Sequence, residues 1–210
     1  MGTGRVTTDA RLRRKAALDR RIKACRKCVD PDRLNEPGVT ESAPGFGSID
    51  SPVAIVGEAL CRACMKAQEP FLGGSGRVLD RCYRRAGVAK ADLFVTNSLH
   101  CHPPGDRDPL PHESANCLPF LQTELREIVA PRLVIGVGKF AKAALAQVYP
   151  EARELSWPFR VPRPRRDDLP GVPYLLFPPH PYYIMTRNRV VREQYERGLA
   201  RAIAWGFDEK

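Results

Sequence analysis

Four short runs of apolar residues punctuate the chain, and each is followed by glycine, asparagine or proline. The runs occupy residues 53–56, 93–96, 133–137 and 174–177. Amphipathic helical patterns occupy residues 76–86, 113–129, 139–148 and 189–205. Continuous apolar strands that alternate with helices are typical of a parallel sheet covered on both faces. The pattern therefore predicts an α/β fold with three layers, α/β/α, around a central four-stranded parallel sheet.

A polar residue lies just beyond the end of each predicted strand. These residues are Glu58, Asn97, Lys139 and His180. Ligands of open parallel sheets bind beyond the carboxyl ends of the strands, and right-handed crossovers bring those ends to one edge. We therefore expect one binding site built from the four strand ends.

The remaining segments lack strand periodicity. Residues 11–27 are very basic and form a helix pattern with a thin apolar face, which fits either a DNA-contacting helix or a solvated arm. Residues 29–50 and 160–173 are rich in loop-forming residues and are expected to be loops. We predict a basic N-terminal arm over residues 1–24 and a single domain over residues 25–210.

Charge and composition narrow the class of protein. The 210 residues carry a formal net charge of +10, which favours a polyanionic partner such as nucleic acid but also fits a basic, soluble surface. No apolar run approaches the roughly 20 residues needed to span a bilayer. The first residues lack an apolar signal segment, so we expect an intracellular protein, cytoplasmic and nucleoid-associated, with no membrane contact.

Seven cysteines in a reducing compartment favour metal binding, catalysis or burial over disulfides. Cys25 and Cys28 form a CxxC, which places two thiolates in one turn. Cys101 and Cys117 flank a proline-rich loop and the start of a predicted helix. If the fold brings the two pairs together, the four cysteines can hold either an iron–sulfur cluster or a structural zinc ion.

Three further segments contain candidate chemistry, each with an ordinary structural alternative. The Asn97 amide has the donor and acceptor needed to read a pyrimidine edge, although turn and cap asparagines are more common. Phe71 precedes a glycine-rich turn and could stack on a base or fill the core. His180 suits a developing negative charge. The apolar tip at residues 182–185, with Arg187 beside it, suits insertion into a duplex or an ordinary helix start.

Together these segments resemble the iron–sulfur branch, family 4, of the uracil-DNA glycosylase superfamily. The resemblance covers roughly residues 25–205 and rests on the order and spacing of several separate motifs. The motifs are Gly57-Glu58-Ala59, Pro70-Phe71-Leu72-Gly73-Gly74-Ser75-Gly76, Thr96-Asn97, Cys101-His102-Pro103-Pro104, Arg107-Asp108-Pro109, Cys117 and His180-Pro181, together with Cys25 and Cys28.

The resemblance implies a Rossmann-like sheet, a [4Fe–4S] cluster on the four cysteines, and a monomer that removes uracil from single- or double-stranded DNA. Its catalytic residues would be Glu58, which positions or activates water, and His180, which bonds the uracil oxygen that gains charge. Phe71 would stack on the flipped uracil and Asn97 would read its edge. The other residues expected to contact substrate or DNA are Ala59, Cys61, Ser75, Tyr183 and Arg187.

The chain departs from the family in the first motif. Gly57-Glu-Ala-Leu-Cys61 stands where the family has Gly-Glu-Ala-Pro-Gly, so Cys61 places a side chain where glycine lets the backbone approach substrate. Cys61 and Cys64 also form a second CxxC, which fits a competing cluster pair, a redox pair or two buried small residues; we favour the last. The departure keeps a second function open, in which the protein binds uracil-containing or damaged DNA with weakened catalysis.

Overall fold

A six-stranded, mostly parallel sheet forms the centre of the protein. The computed structural model describes residues 7–28, 33–164 and 168–208. The sheet order is β1-β3-β2-β4-β6-β5. The strands are β1 (Phe46–Gly47), β2 (Val53–Gly57), β3 (Phe94–Asn97), β4 (Leu133–Gly136), β5 (Glu154–Leu155) and β6 (Tyr174–Leu176). The four predicted parallel strands, β2, β3, β4 and β6, are confirmed. Two short edge strands add to them: β1, antiparallel to β3, and β5, parallel to β6.

Helices cover both faces of the sheet. They are α1 (Thr8–Lys23), α2 (Arg62–Ala67), α3 (Gly76–Ala86), α4 (Pro111–Gln122), α5 (Lys139–Val148), α6 (Pro181–Met185) and α7 (Arg189–Phe207). A π-helical segment, Thr123–Val129, continues α4. The predicted helices correspond to α1, α3, α4 with its continuation, α5 and α7, whereas the short helices α2 and α6 were not predicted. No helix in the described ranges is long and apolar enough to cross a membrane.

The central strands are apolar at successive positions because each contributes to two cores. Side chains of a strand alternate between the two faces of the sheet. In β2, Val53 and Ile55 pack with residues of α3 and α7, whereas Ala54 and Val56 pack with residues of α1, α4 and α5. All five residues of β2 are buried. The observed burial explains why the sequence shows continuous apolar runs rather than alternation.

The N-terminal helix α1 packs onto the domain. Leu18 and Ile22 are buried in the same core as α4 and its continuation. Arg11 donates to the backbone carbonyls of Ile49 (3.2 Å) and Ile128 (3.1 Å). Parts of three predicted segments lie outside the described residues. They are residues 1–6 of the arm, 29–32 of the first loop and 165–167 of the second.

Candidate active site at the carboxyl edge of the sheet

The carboxyl ends of the parallel strands bring the predicted polar residues to one edge. Gly57, at the end of β2, pairs with Asn97, at the end of β3. Glu58 follows directly. The chain that leaves β6 reaches His180, whose ring lies against Gly138 beyond β4: a Cβ added to this glycine would lie 3.2 Å from His180 Cδ2. The strand ends therefore bring these residues to one edge of the sheet, and that this edge is a binding site stays a prediction.

Phe71 and Asn97 meet over Gly57. A Cβ added to Gly57 would lie 2.3 Å from Asn97 Oδ1 and 2.4 Å from Phe71 Cζ. Both side chains therefore occupy the space that any other residue at position 57 would fill. We refer to the position over Gly57 that the aromatic ring and the amide border as the recess. The glycine of the first motif is needed for their close approach.

The loop that carries Phe71 is firmly held. Phe71 has a backbone φ of +56°, a conformation that non-glycine residues adopt only when their surroundings constrain it. Lys90 Nζ donates to the carbonyl of Pro70 (2.5 Å) and pairs with Glu69 (2.6 Å). The backbone of Gly76 packs directly against the Phe71 carbonyl, where a Cβ would lie 2.0 Å from the oxygen. These contacts orient the ring before any ligand binds.

Asn97 is held through the segment that follows it. The amides of Ser98 and Leu99 donate to the carbonyls of Gly57 (2.9 Å) and Glu58 (2.8 Å), respectively. The Ser98 hydroxyl donates to the same Glu58 carbonyl (2.8 Å). Asn97 is only 3% exposed, and within the described part of the chain its amide makes no hydrogen bond. Its donor and acceptor thus remain available to a small planar ligand in the recess.

His180 is positioned as a neutral hydrogen-bond donor. It caps α6, and its Nδ1 accepts a hydrogen bond from the amide of Tyr182 (3.2 Å). That bond leaves the ring proton on Nε2, which is then free to donate. Burial lowers the pKa of His180 below its ordinary value, so the ring is neutral at neutral pH.

Glu58 has two charged neighbours, Asp108 and Lys139. Burial raises the pKa of Glu58, and the Asp108 carboxylate raises it further, whereas Lys139 lowers it. Lys139 Nζ lies 2.7 Å from Asp108 Oδ2. Lys139 was visible as the residue after the third strand. Asp108 lies in a loop without periodicity, so only its family motif could have marked it.

The cysteines at positions 25, 28, 101 and 117 converge beneath the first motif. Cys28, Cys101 and Cys117 lie in one buried cluster against Leu34 and Leu99, and Ala59 packs on that cluster. Cys25 is half-buried and packs against the core that α1 shares with α4. Burial raises the pKa of Cys101, and the charges of the other three cysteines add to the effect. All four thiols therefore lie within electrostatic range of one another.

The donor set consists of four thiols, a type of ligand that iron–sulfur clusters and structural zinc ions both use. Within the described residues, no three His, Cys, Asp or Glu side chains are grouped closely enough to hold one metal ion. Asn116 Nδ2 also donates to Cys28 Sγ (3.2 Å), the kind of contact that tunes such clusters.

A buried polar network lies between the cysteines and the sheet. Glu124, fully buried, accepts hydrogen bonds from the Gly45 amide (2.8 Å) and the Thr96 hydroxyl (2.7 Å) and lies 3.2 Å from His100 Nε2. Burial opposes the charge on His100, but the Glu124 carboxylate, with a hydrogen-bond contribution from Cys117, outweighs it and raises the pKa to about 10. Neither His100 nor Glu124 was predicted as a site residue.

Cys61 and Cys64 are joined by a disulfide. The interpretation of two independent buried residues is therefore wrong. Cys61 caps the first turn of α2, where its sulfur accepts from the Cys64 amide (3.1 Å). The pair lies apart from the Cys28, Cys101 and Cys117 cluster, in a small cluster with Ala43, Leu60 and Leu72.

An exposed apolar tip adjoins His180. Tyr182, Tyr183 and Met185 on α6 are 66%, 50% and 37% exposed. The Arg187 guanidinium lies 3.8 Å from the centre of the Tyr183 ring. Ser75, at the start of α3, is half-buried at the end of the Phe71 loop.

Comparison with known proteins identifies the family of this chain. The family described as the uracil DNA glycosylase superfamily matches residues 44–203. A type-4 uracil-DNA glycosylase of Pyrobaculum aerophilum is 31% identical over 198 residues, which cover 89% of this chain and 92% of the relative. Those of Archaeoglobus fulgidus and Thermotoga maritima are 35% and 32% identical, with matches that span 58% and 62% of their lengths. The chain therefore belongs to the uracil DNA glycosylase superfamily.

Proposed function

We propose that the protein is a monofunctional uracil-DNA glycosylase that flips uracil out of DNA and hydrolyses the N-glycosidic bond, leaving an abasic site. The observation that carries the proposal is the meeting of the Phe71 ring and the Asn97 amide over Gly57, with the His180 ring, beyond the end of β6, lying against Gly138. A planar base fits between a stacking face and a carboxamide that offers both a donor and an acceptor.

Recognition requires the base to leave the duplex stack, at a cost of a few kcal/mol. Phe71 then stacks on the extruded ring, and the Asn97 amide bonds its Watson–Crick edge. Gly57 and Ala59 let the backbone approach the base, and Cys61 lies at the outer end of the same motif. Because the loop that carries Phe71 is already constrained, binding of the base costs little additional conformational entropy.

The proposed roles of His180 and Glu58 in cleaving the glycosidic bond follow from the charges that develop on uracil and on the sugar. The electron pair of the glycosidic bond moves to uracil, and positive charge grows on the sugar. The neutral His180 donates from Nε2 to the uracil oxygen that becomes negative, which is the expected main contribution to the rate. The Glu58 carboxylate orients water towards the sugar and accepts its proton, a role that its raised pKa favours.

The cysteine site would hold a [4Fe–4S] cluster, with Cys25, Cys28, Cys101 and Cys117 as its ligands. The cluster would supply structural cross-linking rather than chemistry at the sugar. Ala59 packs on these cysteines, so the cluster would stiffen the first motif from behind. It would also tie α1 and the loop before α4 to the site.

The surface around the recess would contact DNA. Tyr183 is the wedge that fills the space left by the extruded base, Arg187 stabilises that ring and meets phosphate, and Ser75 bonds the backbone of the flipped strand. We propose a monomer of one domain over residues 25–210 with the basic α1 attached. Its partner would be the cell's own uracil-containing DNA, single- or double-stranded, in a cytoplasmic, nucleoid-associated protein.

The test is release of uracil from a labelled oligonucleotide under single-turnover conditions, with the same sequence containing thymine as the control. Asn97→Ala should slow release by about 10²–10³-fold, the usual cost of one such donor. Gln147→Ala removes an exposed amide at the far end of α5 and should have no effect. Salt-dependent binding of uracil DNA without any release would instead support the weakened, DNA-binding function that Cys61 suggests.

A further inference from the structure

Cys61 and Cys64 form a pair with unequal access to solvent. Their Cα atoms are 4.9 Å apart, within the range that permits a disulfide without backbone movement. Cys61 is half-buried, whereas Cys64 is 3% exposed. Cys61 is therefore the more exposed residue of the pair, and the contact from the Cys64 amide to Cys61 Sγ is of the kind that favours a thiolate.

Both sulfurs contact the backbone of Leu72. The Leu72 amide donates to Cys64 Sγ (3.3 Å), and the Leu72 carbonyl oxygen lies 3.8 Å from Cys61 Sγ and 3.9 Å from Cys64 Sγ. As thiols, both cysteines have a proton to donate to that carbonyl, and as a disulfide neither has one. The redox state of the pair therefore changes the hydrogen bonds available to Leu72.

Leu72 directly follows Phe71, so this change occurs one peptide away from the base-stacking ring. Phe71 holds a positive φ that depends on its surroundings, and its ring lies against Gly57 and Asn97. With the disulfide in place, the ring and the amide face the same recess. Reduction would break the covalent tie between the two sulfurs, which must then separate to non-bonded distance. The weak S–H donors that become available to Leu72 would not replace that tie, so the segment next to Phe71 would be less constrained.

We propose that Cys61 and Cys64 are a thiol–disulfide exchange site whose disulfide holds Phe71 in the base-binding position. The oxidant would be a low-molecular-weight disulfide, such as glutathione disulfide. The Cys61 thiolate attacks one of its sulfurs, forming a mixed disulfide and releasing one thiolate. The Cys64 thiolate then attacks Cys61 Sγ and releases the second. The protein loses two electrons, the small disulfide becomes two thiols, and the two cysteine protons pass to the released thiolates.

The proposal rests on the proposed function for its activity readout, and a second readout is independent of catalysis. The full-length protein with its cluster is equilibrated in mixtures of reduced and oxidised glutathione. Alkylation and mass spectrometry give the dithiol fraction, and visible absorbance verifies an unchanged cluster. Hydrogen exchange of residues 70–76 and single-turnover uracil release are then measured on the same samples.

Hydrogen exchange in that segment should rise with the dithiol fraction, and uracil release should fall by about tenfold, less than the 10² that a 1 Å misplacement can cost. Cys61→Ser and Cys64→Ser should behave as the dithiol form in every mixture. Cys82→Ala, which removes a buried cysteine of α3 outside the pair, should respond as the wild type does. Equal hydrogen exchange of residues 70–76 in both redox states would overturn the proposal, whether or not uracil is released. Faster uracil release by the dithiol form would refute the claim that the disulfide holds Phe71 in the base-binding position. Absence of release in both states, with exchange still redox-dependent, would count against the glycosylase function alone.

Discussion

Replacement of Gly57 by alanine tests the recess directly. The new Cβ would lie 2.4 Å from Phe71 Cζ and 2.3 Å from Asn97 Oδ1, whereas non-bonded carbon atoms rest at about 3.5 Å or more. The Phe71 ring therefore has to retreat by about 1 Å, and the amide has to move as well. Both side chains proposed to bind the base are displaced by one added methyl group.

The expected loss in kcat/KM follows from that displacement. A misplacement of about 1 Å can cost 10²-fold in rate, which corresponds to about 2.7 kcal/mol of transition-state stabilisation. Overpacking should lower the free energy of unfolding by only about 1–3 kcal/mol. Gly57→Ala should therefore remain folded while losing most of its activity.

Gly206→Ala provides the matched control. Its Cβ would lie 2.3 Å from Val53 Cγ2, a similar overlap at the opposite end of β2. It should destabilise the protein to a comparable extent and leave kcat/KM near the wild-type value. Both variants are compared by thermal unfolding and by single-turnover release of uracil from a single-stranded oligonucleotide. Wild-type kcat/KM in folded Gly57→Ala would refute the assigned recess.

Four other predictions concern pH, the buried network, the DNA-facing tip and the cluster. Burial lowers the pKa of His180 below its ordinary 6.5, so protonation of His180 should reduce kcat/KM only below pH 6.5. A fall in kcat/KM that His180 causes above pH 6.5 would contradict its role as a neutral hydrogen-bond donor. The same shift should reduce stability as the pH falls below 6.5, since the unfolded chain binds the proton first. Glu124→Ala leaves His100 buried without its carboxylate and should cost about 3–5 kcal/mol of unfolding free energy, whereas Glu127→Ala, in an exposed pair with Arg14, should cost about 0–1 kcal/mol; equal costs in urea unfolding would show that the network is not stabilising. Tyr183→Ala should slow uracil release from duplex DNA by about tenfold or more and change release from single-stranded DNA little, because the cost of unstacking the base, about a few kcal/mol, applies only to the duplex. Equal losses on both substrates would refute the role of Tyr183 as a wedge. Chelation of iron should bleach the visible absorbance and lower the melting temperature, and an unchanged melting temperature would argue against a structural cluster.

Much of the architecture was predictable because local patterns reflect burial. A strand buried on both faces must be apolar at successive residues, which makes β2, β3 and β4 recognisable in isolation. The edge strands β1 and β5 have two residues each, too few for any period. Helix α2 has six and was missed for the same reason.

Some residues of the candidate site were also predictable from the sequence, and others were not. Asn97 and Glu58 were predictable because they follow strand ends, where open parallel sheets bind ligands. Asp108 was not, because its approach to Lys139 depends on how a proline-rich loop folds back over the sheet. The link between Cys64 and Leu72 was also hidden, since a CxxC spacing does not reveal which backbone the sulfurs will touch.

The sequence by itself determined the layered α/β fold, the basic surface charge and the set of residues able to do the chemistry, because each depends on residue type and near-neighbour spacing. Tertiary structure alone decided which of those residues meet. It placed Phe71 and Asn97 over Gly57, and it set the His180 proton on Nε2 because Nδ1 accepts the hydrogen bond that caps α6. It also packed Ala59 onto the cluster of Cys28, Cys101 and Cys117. These contacts join strand ends and loops far apart in the chain, and only the packing of both cores around the sheet brings them within bonding distance.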